Sequence, residues 1–343
     1  MPDFPYINAR VRAMRSRLLP QARLEELLGA STMDVFLQGL ASTPYGGDLQ
    51  EALTRGQGLR AVDEAVAHNL RRATRAILGF ADGRPRALIE VILLRWDLAN
   101  LRVIARGKHA GRPTEEIVGA LLPAGNLGDV VLKEMAAYPD LTGLAGTLET
   151  LNHPLAAPMA RGVAAYSAAK DLMALEVHLD RGYTEYGLQQ TRSGGEDVMI
   201  LRGILQTEID VANVKTALKL ANAAGLSEDR RLFFYVPGGA VVTQPLFVAL
   251  SSSQTRAPAW ERLRVHGFPI KELPTDLVAF ERDLDLHIAR RLRARYLGDP
   301  LGLDIIIGYL AMKSAEVANL RLIARGKFLG LPREAVRREM IVV

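Results

Sequence analysis

Carboxylates, histidines and serines are the side chains in this sequence with the types and spacing to do chemistry. Glu176/Asp180 and Glu281/Asp285 are two pairs spaced i, i+4, so on a helix each pair shares one face. Two carboxylates so placed could serve as a general acid and base. When exposed they only repel one another mildly, and arginine partners on an adjacent helix are the ordinary answer. The six histidines, His68, His109, His153, His178, His266 and His287, form no HExxH or other ligand spacing. His178 and His287 lie near the acidic pairs, but i, i+2 neighbours point to different sides of a helix. Ser251-Ser252-Ser253 reads as a polar loop without a nucleophile elbow around it. No GxGxxG opens a helix and no GxxxxGK[ST] is present; Arg106-Gly107-Lys108 reads as a helix end. None of these residues reads as an active site, a cofactor site or a metal site.

The elements that must position them are helical, and one helical phrase recurs. Asp97-Leu98-Ala99-Asn100-Leu101-Arg102-Val103-Ile104-Ala105-Arg106-Gly107-Lys108 returns as Glu316-Val317-Ala318-Asn319-Leu320-Arg321-Leu322-Ile323-Ala324-Arg325-Gly326-Lys327. A worn copy, Asp210-Val211-Ala212-Asn213-Val214-Lys215-Thr216-Ala217-Leu218-Lys219, lies between them. From Asp97 to Asp210 is 113 residues and from Asp210 to Glu316 is 106, each the span of a small domain. Leu122-Pro123-Ala124-Gly125 and Val236-Pro237-Gly238-Gly239 repeat in step, and a third such turn would begin at residue 343. Leu175-Glu176-Val177-His178-Leu179-Asp180 likewise matches Phe280-Glu281-Arg282-Asp283-Leu284-Asp285, while the first repeat keeps only Asp63 and Glu64 near that place. The division is three helical repeats at 1–111, 112–225 and 226–343, an all-α chain with approximate three-fold symmetry. That points to a mechanical part.

Wound at 3.6 residues per turn, Leu94, Leu98, Leu101 and Ala105 share one face, and Trp96 and Val103 lie beyond a stripe of Arg95, Arg102 and Arg106. Apolar groups cover most of the circumference, so this helix is expected to be largely buried. Gly107 and Gly326 suit the left-handed position just past a helix end, with Pro113 and Pro332 opening the next helix. Asn100, Asn213 and Asn319 stand in one register among apolar neighbours, where an unpaired amide costs about 1–3 kcal/mol. A repeated hydrogen bond inside the fold is the structural reading; direct contact with a partner is the functional one. Arg102, Lys215 and Arg321 share a register, as do Arg106, Lys219 and Arg325. They are either solvated and carboxylate-paired stripes or a ring of positive charge facing acidic residues of a partner.

Composition sets the remaining bounds. The chain has 343 residues, 49% of them hydrophobic, enough for two or three cores. It lacks cysteine, which excludes disulfides and thiolate metal sites and fits a reducing cytosol. The start reads as an amphipathic, Arg-rich helix through Arg17 rather than a signal peptide. The apolar stretches Leu155–Leu179 and Leu301–Met312 are, respectively, broken by charges and too short to span a bilayer, so a soluble protein is expected. The net charge of +5 permits contact with nucleic acid, anionic lipid or an acidic protein.

Tyr6-Ile7-Asn8-Ala9-Arg10-Val11-Arg12, Thr43-Pro44-Tyr45-Gly46, Tyr183 and Tyr235-Val236-Pro237-Gly238-Gly239 join the doubled Asn-Leu-Arg phrase. With these residues the chain resembles the C subunit of the prokaryotic V/A-type ATPase, the relative of the d subunit of the eukaryotic V-ATPase. It implies an all-helical funnel of three similar domains with no nucleotide chemistry and no cofactor of its own. It also implies a single copy per complex, peripheral on the cytoplasmic face of the membrane. There it would join the membrane rotor ring to a central shaft of the D and F subunits, with no nucleic acid and no small-molecule substrate. Two readings compete: a helical repeat that binds nucleic acid through its arginines, and an enzyme whose site assembles only in three dimensions. Alternation of arginines with acids, as in Arg23–Glu26 and Glu281–Arg293, weakens the first.

Overall fold

The computed structural model describes residues 4–341 apart from 222, 224, 254, 255, 267 and 269–275; the third turn expected at residue 343 lies outside the described residues. Among the described residues there are eighteen α-helices and no strand, so the chain is all-α. In order they are α1 (Phe4–Arg15), α2 (Gln21–Gly29), α3 (Met33–Ala41), α4 (Gly46–Leu53), α5 (Gly58–Phe80), α6 (Gly83–His109), α7 (Thr114–Ala120), α8 (Asp129–Ala137) and α9 (Thr142–Thr150). There follow α10 (Ala156–Ala169), α11 (Leu172–Gln190), α12 (Glu196–Leu220), α13 (Glu228–Leu232), α14 (Gln244–Ser251), α15 (Arg256–Val265), α16 (Leu277–Ala294), α17 (Asp304–Phe328) and α18 (Arg333–Glu339). None of the described helices is long and apolar enough to cross a membrane.

Packing divides the chain into two compact units, Met1–Leu141 with Ala289–Val343, and Thr142–Ile288. The three repeats are a division by sequence likeness, whereas these units are a division by contact. In the first unit α17 is the central helix, packed on α1, α2, α3 and α5. Its run Ile305–Leu310 is buried on every side, which explains why the segment is apolar without periodicity. In the second unit α10 packs on α9 and α11, and α12 packs on α14. There Val214, Phe247, Leu250, Leu263, Phe280 and Leu284 form a core in which Trp260 meets Phe280 edge-on, ring centroids 6.0 Å apart.

The recurring phrase occupies the C-terminal halves of the three long helices α6, α12 and α17. Leu94, Leu98, Leu101 and Ala105 are buried together, with Trp96 buried beyond them. Gly107 and Gly326 do not occupy the left-handed position assigned to them; both lie inside the last helical turn. The left-handed residues are Gly111 (φ 64°) and Gly330 (φ 65°). Each closes its helix with a pair of bonds: Arg112 N–H to Gly107 O at 2.9 Å and Gly111 N–H to Lys108 O at 3.1 Å, and likewise Leu331 to Gly326 at 2.8 Å and Gly330 to Lys327 at 3.2 Å. Gly107 and Gly326 are glycine for another reason. A Cβ at Gly107 would stand 2.5 Å from Ile117 of α7, and one at Gly326 2.4 Å from Val336 of α18. The following short helix, opened by Pro113 or Pro332, folds straight back onto that bare surface.

Candidate functional site

The three asparagines make the same bond three times. Asn100 donates through Nδ2 to Leu122 O at 2.7 Å and accepts from Leu122 N–H at 2.8 Å. Asn213 treats Val236 alike, at 2.7 and 2.9 Å. Asn319 treats Ile341 alike, at 3.0 and 2.7 Å. Each amide is buried, and each clasps the backbone of the segment that leaves the short helix following its own long helix. A flat amide that offers donor and acceptor together meets both needs of one residue's backbone, which is why no other side chain stands there.

One turn earlier a carboxylate extends the clasp. Asp97 accepts from Asn126 N–H at 2.8 Å and Leu127 N–H at 2.9 Å. Asp210 accepts from Ala240, Val241 and Val242 N–H, the closest at 2.8 Å. The Pro-Gly turns permit the approach: a Cβ on Gly125 or Gly239 would lie 2.0 or 2.1 Å from the aspartate oxygen. Burial pushes the Asp210 carboxyl up from the usual carboxylate range, and the three N–H donors pull the other way.

Glu316, the third member of this register, turns to a different task. Its Oε1 accepts from Tyr45 Oη at 2.6 Å and from Lys313 Nζ at 2.7 Å, and Lys313 also donates to Tyr45 Oη at 2.8 Å. The Leu19 N–H closes on the other oxygen. Burial drives the Tyr45 hydroxyl well above its ordinary range, reinforced by Glu316, and drives the Lys313 ammonium down against Glu316's pull. Tyr45 is 0% exposed and Lys313 4%, so no substrate reaches this cluster; it ties α4 to α17. Beside it the buried Asp48 accepts from Asn69 at 2.6 Å and takes both Arg72 nitrogens, at 2.7 and 2.9 Å. Among the described residues no group of three histidines or carboxylates is placed to hold a metal ion.

The basic registers meet the acidic elements. Lys215 Nζ lies 2.6 Å from Asp285, and Lys219 Nζ lies 2.6 Å from Glu281. The i, i+4 carboxylates of α16 are therefore the partners of two lysines on α12, where sequence reasoning named arginines. Arg321, only 7% exposed, sets Nε 2.6 Å from Asp63 and donates to Gly119 O at 3.0 Å, with Arg325 at 3.9 Å from the same carboxylate. In both cases the phrase of one repeat reaches the acidic element of another: middle to third, third to first. Arg102 and Arg106 sit on α6, half-buried and exposed. Three further cations anchor backbone carbonyls, and sequence reasoning missed Arg231 and Arg181 among them. Lys327 donates to Leu28 O at 3.0 Å and to Ala30 O at the end of α2. Arg231 reaches Leu220 O at 2.8 Å and Ser251 O, and Arg181 reaches Phe233 O at 2.8 Å and Tyr235 O at 2.9 Å. No periodicity marks such residues; their targets are backbone carbonyls that only folding brings near.

These bonds tie loops and helices to the three long helices, and the chain is similar to known proteins along nearly its whole length. The family model for the ATP synthase (C/AC39) subunit matches residues 7–339. The V-type ATP synthase C subunit of Deinococcus radiodurans is 36% identical, covering 99% of this chain and 92% of the relative. That of Thermus thermophilus is 33% identical, covering 99% and 98%. The A-type ATP synthase C subunit of Methanocaldococcus jannaschii is 26% identical, covering 99% and 87%.

Proposed function

Because the chain belongs to the ATP synthase (C/AC39) subunit family, we propose that it is the non-catalytic part that joins the central shaft of a rotary V/A-type ATP synthase to the membrane rotor ring. The match along residues 7–339 carries this reading. In it the chain is peripheral, lies on the cytoplasmic face and is present once per assembly. It receives the shaft made by the D and F subunits and stands on the ring that moves protons or sodium ions. Nucleotide chemistry belongs to other subunits.

The physical argument is stiffness. A torque coupler fails if its helices slide, and close packing with few voids resists deformation. The three asparagine clasps, the aspartate bonds at the Pro-Gly turns and the buried Tyr45–Lys313–Glu316 cluster each fix a loop or helix against a long helix. Asn100, Asn213, Asn319, Lys215, Lys219, Arg321 and Arg325 act in this reading as internal struts. Arg102 and Arg106 belong to the same registers on α6. Three similar repeats also offer three similar footings, whose contacts reinforce one another through high effective concentration.

The test is co-purification of the full chain with the detergent-solubilised ring and with the D–F shaft, each taken separately. Binding to both without nucleotide, one copy each, is the expected result. Binding to neither, with ring and shaft independently intact, would overturn the reading.

A further inference from the structure

The clearest concentration of unanswered charge lies in the first unit, on α1, on the last residues of α16 and on the turn that precedes α17. From Phe4 to Leu24 the sequence carries Arg10, Arg12, Arg15, Arg17 and Arg23 and no acid; from Ala289 to Gly298 it carries Arg290, Arg291, Arg293 and Arg295, again with no acid. Arg295 lies 3.6 Å from Asp304. Arg12, Arg15, Arg17, Arg290, Arg291 and Arg293 are all exposed, and none makes an ion pair among the described residues. Other arginines of the first unit are held by carboxylates, as Arg72 is by Asp48 and Arg321 by Asp63. Like charges this close repel one another, so the cluster gains nothing from the fold of the unit itself.

Two of these arginines, Arg12 and Arg15, border a groove of about 770 Å³ that Tyr296, Leu297 and Pro300 line on the other side. The buried Asn8 fixes its far wall, donating to Pro300 O at 3.0 Å and Gly302 O at 2.8 Å. Arg15 Cζ stands over the Tyr296 ring, 4.4 Å from its centroid. A guanidinium held over a ring keeps N–H groups for an anion. Leu297, 87% exposed, and Pro300 supply apolar surface in the same groove.

We propose that this groove docks a carboxylate-bearing segment of a neighbouring protein of the assembly, with Arg12 and Arg15 pairing its acid and Leu297 and Pro300 covering the residue beside it. The inference rests on the coupling reading above and adds the surface through which the first unit takes hold. The groove admits a few side chains, a scale that suits a protein segment better than a duplex.

The experiment uses the full-length chain and an ATP synthase assembly depleted of it. Wild-type chain and R12E/R15E are titrated onto the depleted assembly at 50 and 300 mM KCl, with melting temperatures measured alongside. The expected result is unchanged melting and at least a tenfold weaker affinity for the variant at low salt, narrowing at high salt. Equal affinity of variant and wild type, or a loss independent of salt, would overturn the groove and leave the coupling reading standing. No rebinding by the wild-type chain would overturn both. As a second readout, a photo-crosslinker at Leu297 in the assembled complex should capture a peptide containing Asp or Glu from another protein of the assembly. Capture of lipid or RNA instead would overturn the proposal.

Discussion

Asn213 and Val236 exchange two hydrogen bonds across 23 residues of sequence, the side-chain amide giving one at 2.7 Å and taking one at 2.9 Å. Neither Val236 group meets water, since Asn213 is 0% and Val236 5% exposed. Replacing Asn213 by alanine strands a buried donor and a buried acceptor, each costing about 1–3 kcal/mol. Asn213→Ala is predicted to lose about 2–4 kcal/mol, read from the midpoint of urea unfolding at unchanged slope. Asn213→Asp keeps the acceptor but sets a carboxylate against the Val236 carbonyl, and is predicted to be no better.

Gly326→Ala drives a methyl to 2.4 Å from Val336, a contact that must be relieved by movement of α18. The predicted cost is about 1–3 kcal/mol, as for other overpacked sites. Val336→Ala in the same chain makes room, so the double variant should be more stable than the sum of the singles implies. Strict additivity in unfolding measurements would count against this contact as the reason for the glycine.

Charge pairs in the same register are predicted to differ by burial. Asp63→Asn leaves the nearly buried Arg321 without its carboxylate and should cost about 3–5 kcal/mol. Asp285→Asn removes the partner of Lys215 at a site where the aspartate is 66% exposed, and should cost no more than about 1 kcal/mol. Equal losses would mean that both pairs are surface decoration or both are struts.

Tyr45 gives the pH prediction. Its folded pKa is raised above the unfolded value near 10, by burial first and then by Glu316. The folded state therefore holds a proton that the unfolded chain releases. The associated stability is complete below about pH 10 and falls as pH rises through the folded pKa. Lys313, whose folded pKa is lowered, contributes in the opposite direction as pH approaches its unfolded value. Tyr45→Phe should lower stability at pH 7 and flatten its decline above pH 10. Tyrosinate absorbance should show Tyr45 silent until the chain unfolds.

These predictions also mark what the sequence carries on its face. Asn100, Asn213 and Asn319 were legible because a polar residue recurring in one register of an apolar helix must be satisfied there. The identity of the satisfying groups, Leu122, Val236 and Ile341, was not, since any backbone can meet an amide. Gly107 was recognised as constrained but given the wrong constraint. A left-handed turn and a close helix contact both select glycine, and spacing alone does not separate them. Tyr45 and Glu316 stand in recognisable motifs, but their meeting with Lys313 left no signal: Lys313 reaches Tyr45 across 268 residues, and no periodic pattern encodes such a partner. Asp63 was noticed only as the remnant of an acidic element, while its role as the seat of Arg321 needed α17 folded beside α5. Arg12 and Arg15 read as an ordinary amphipathic helix because the Tyr296–Pro300 wall comes from the far end of the chain.

The central claim is coupling, and ion uptake driven by ATP tests it most directly. The assembly is reconstituted into vesicles with the chain, without it, and without it followed by add-back. The account predicts ATP hydrolysis in all three, ion uptake only where the chain is present, and recovery on add-back. Ion uptake of equal rate without the chain, or ATP hydrolysis by the purified chain alone, would contradict it.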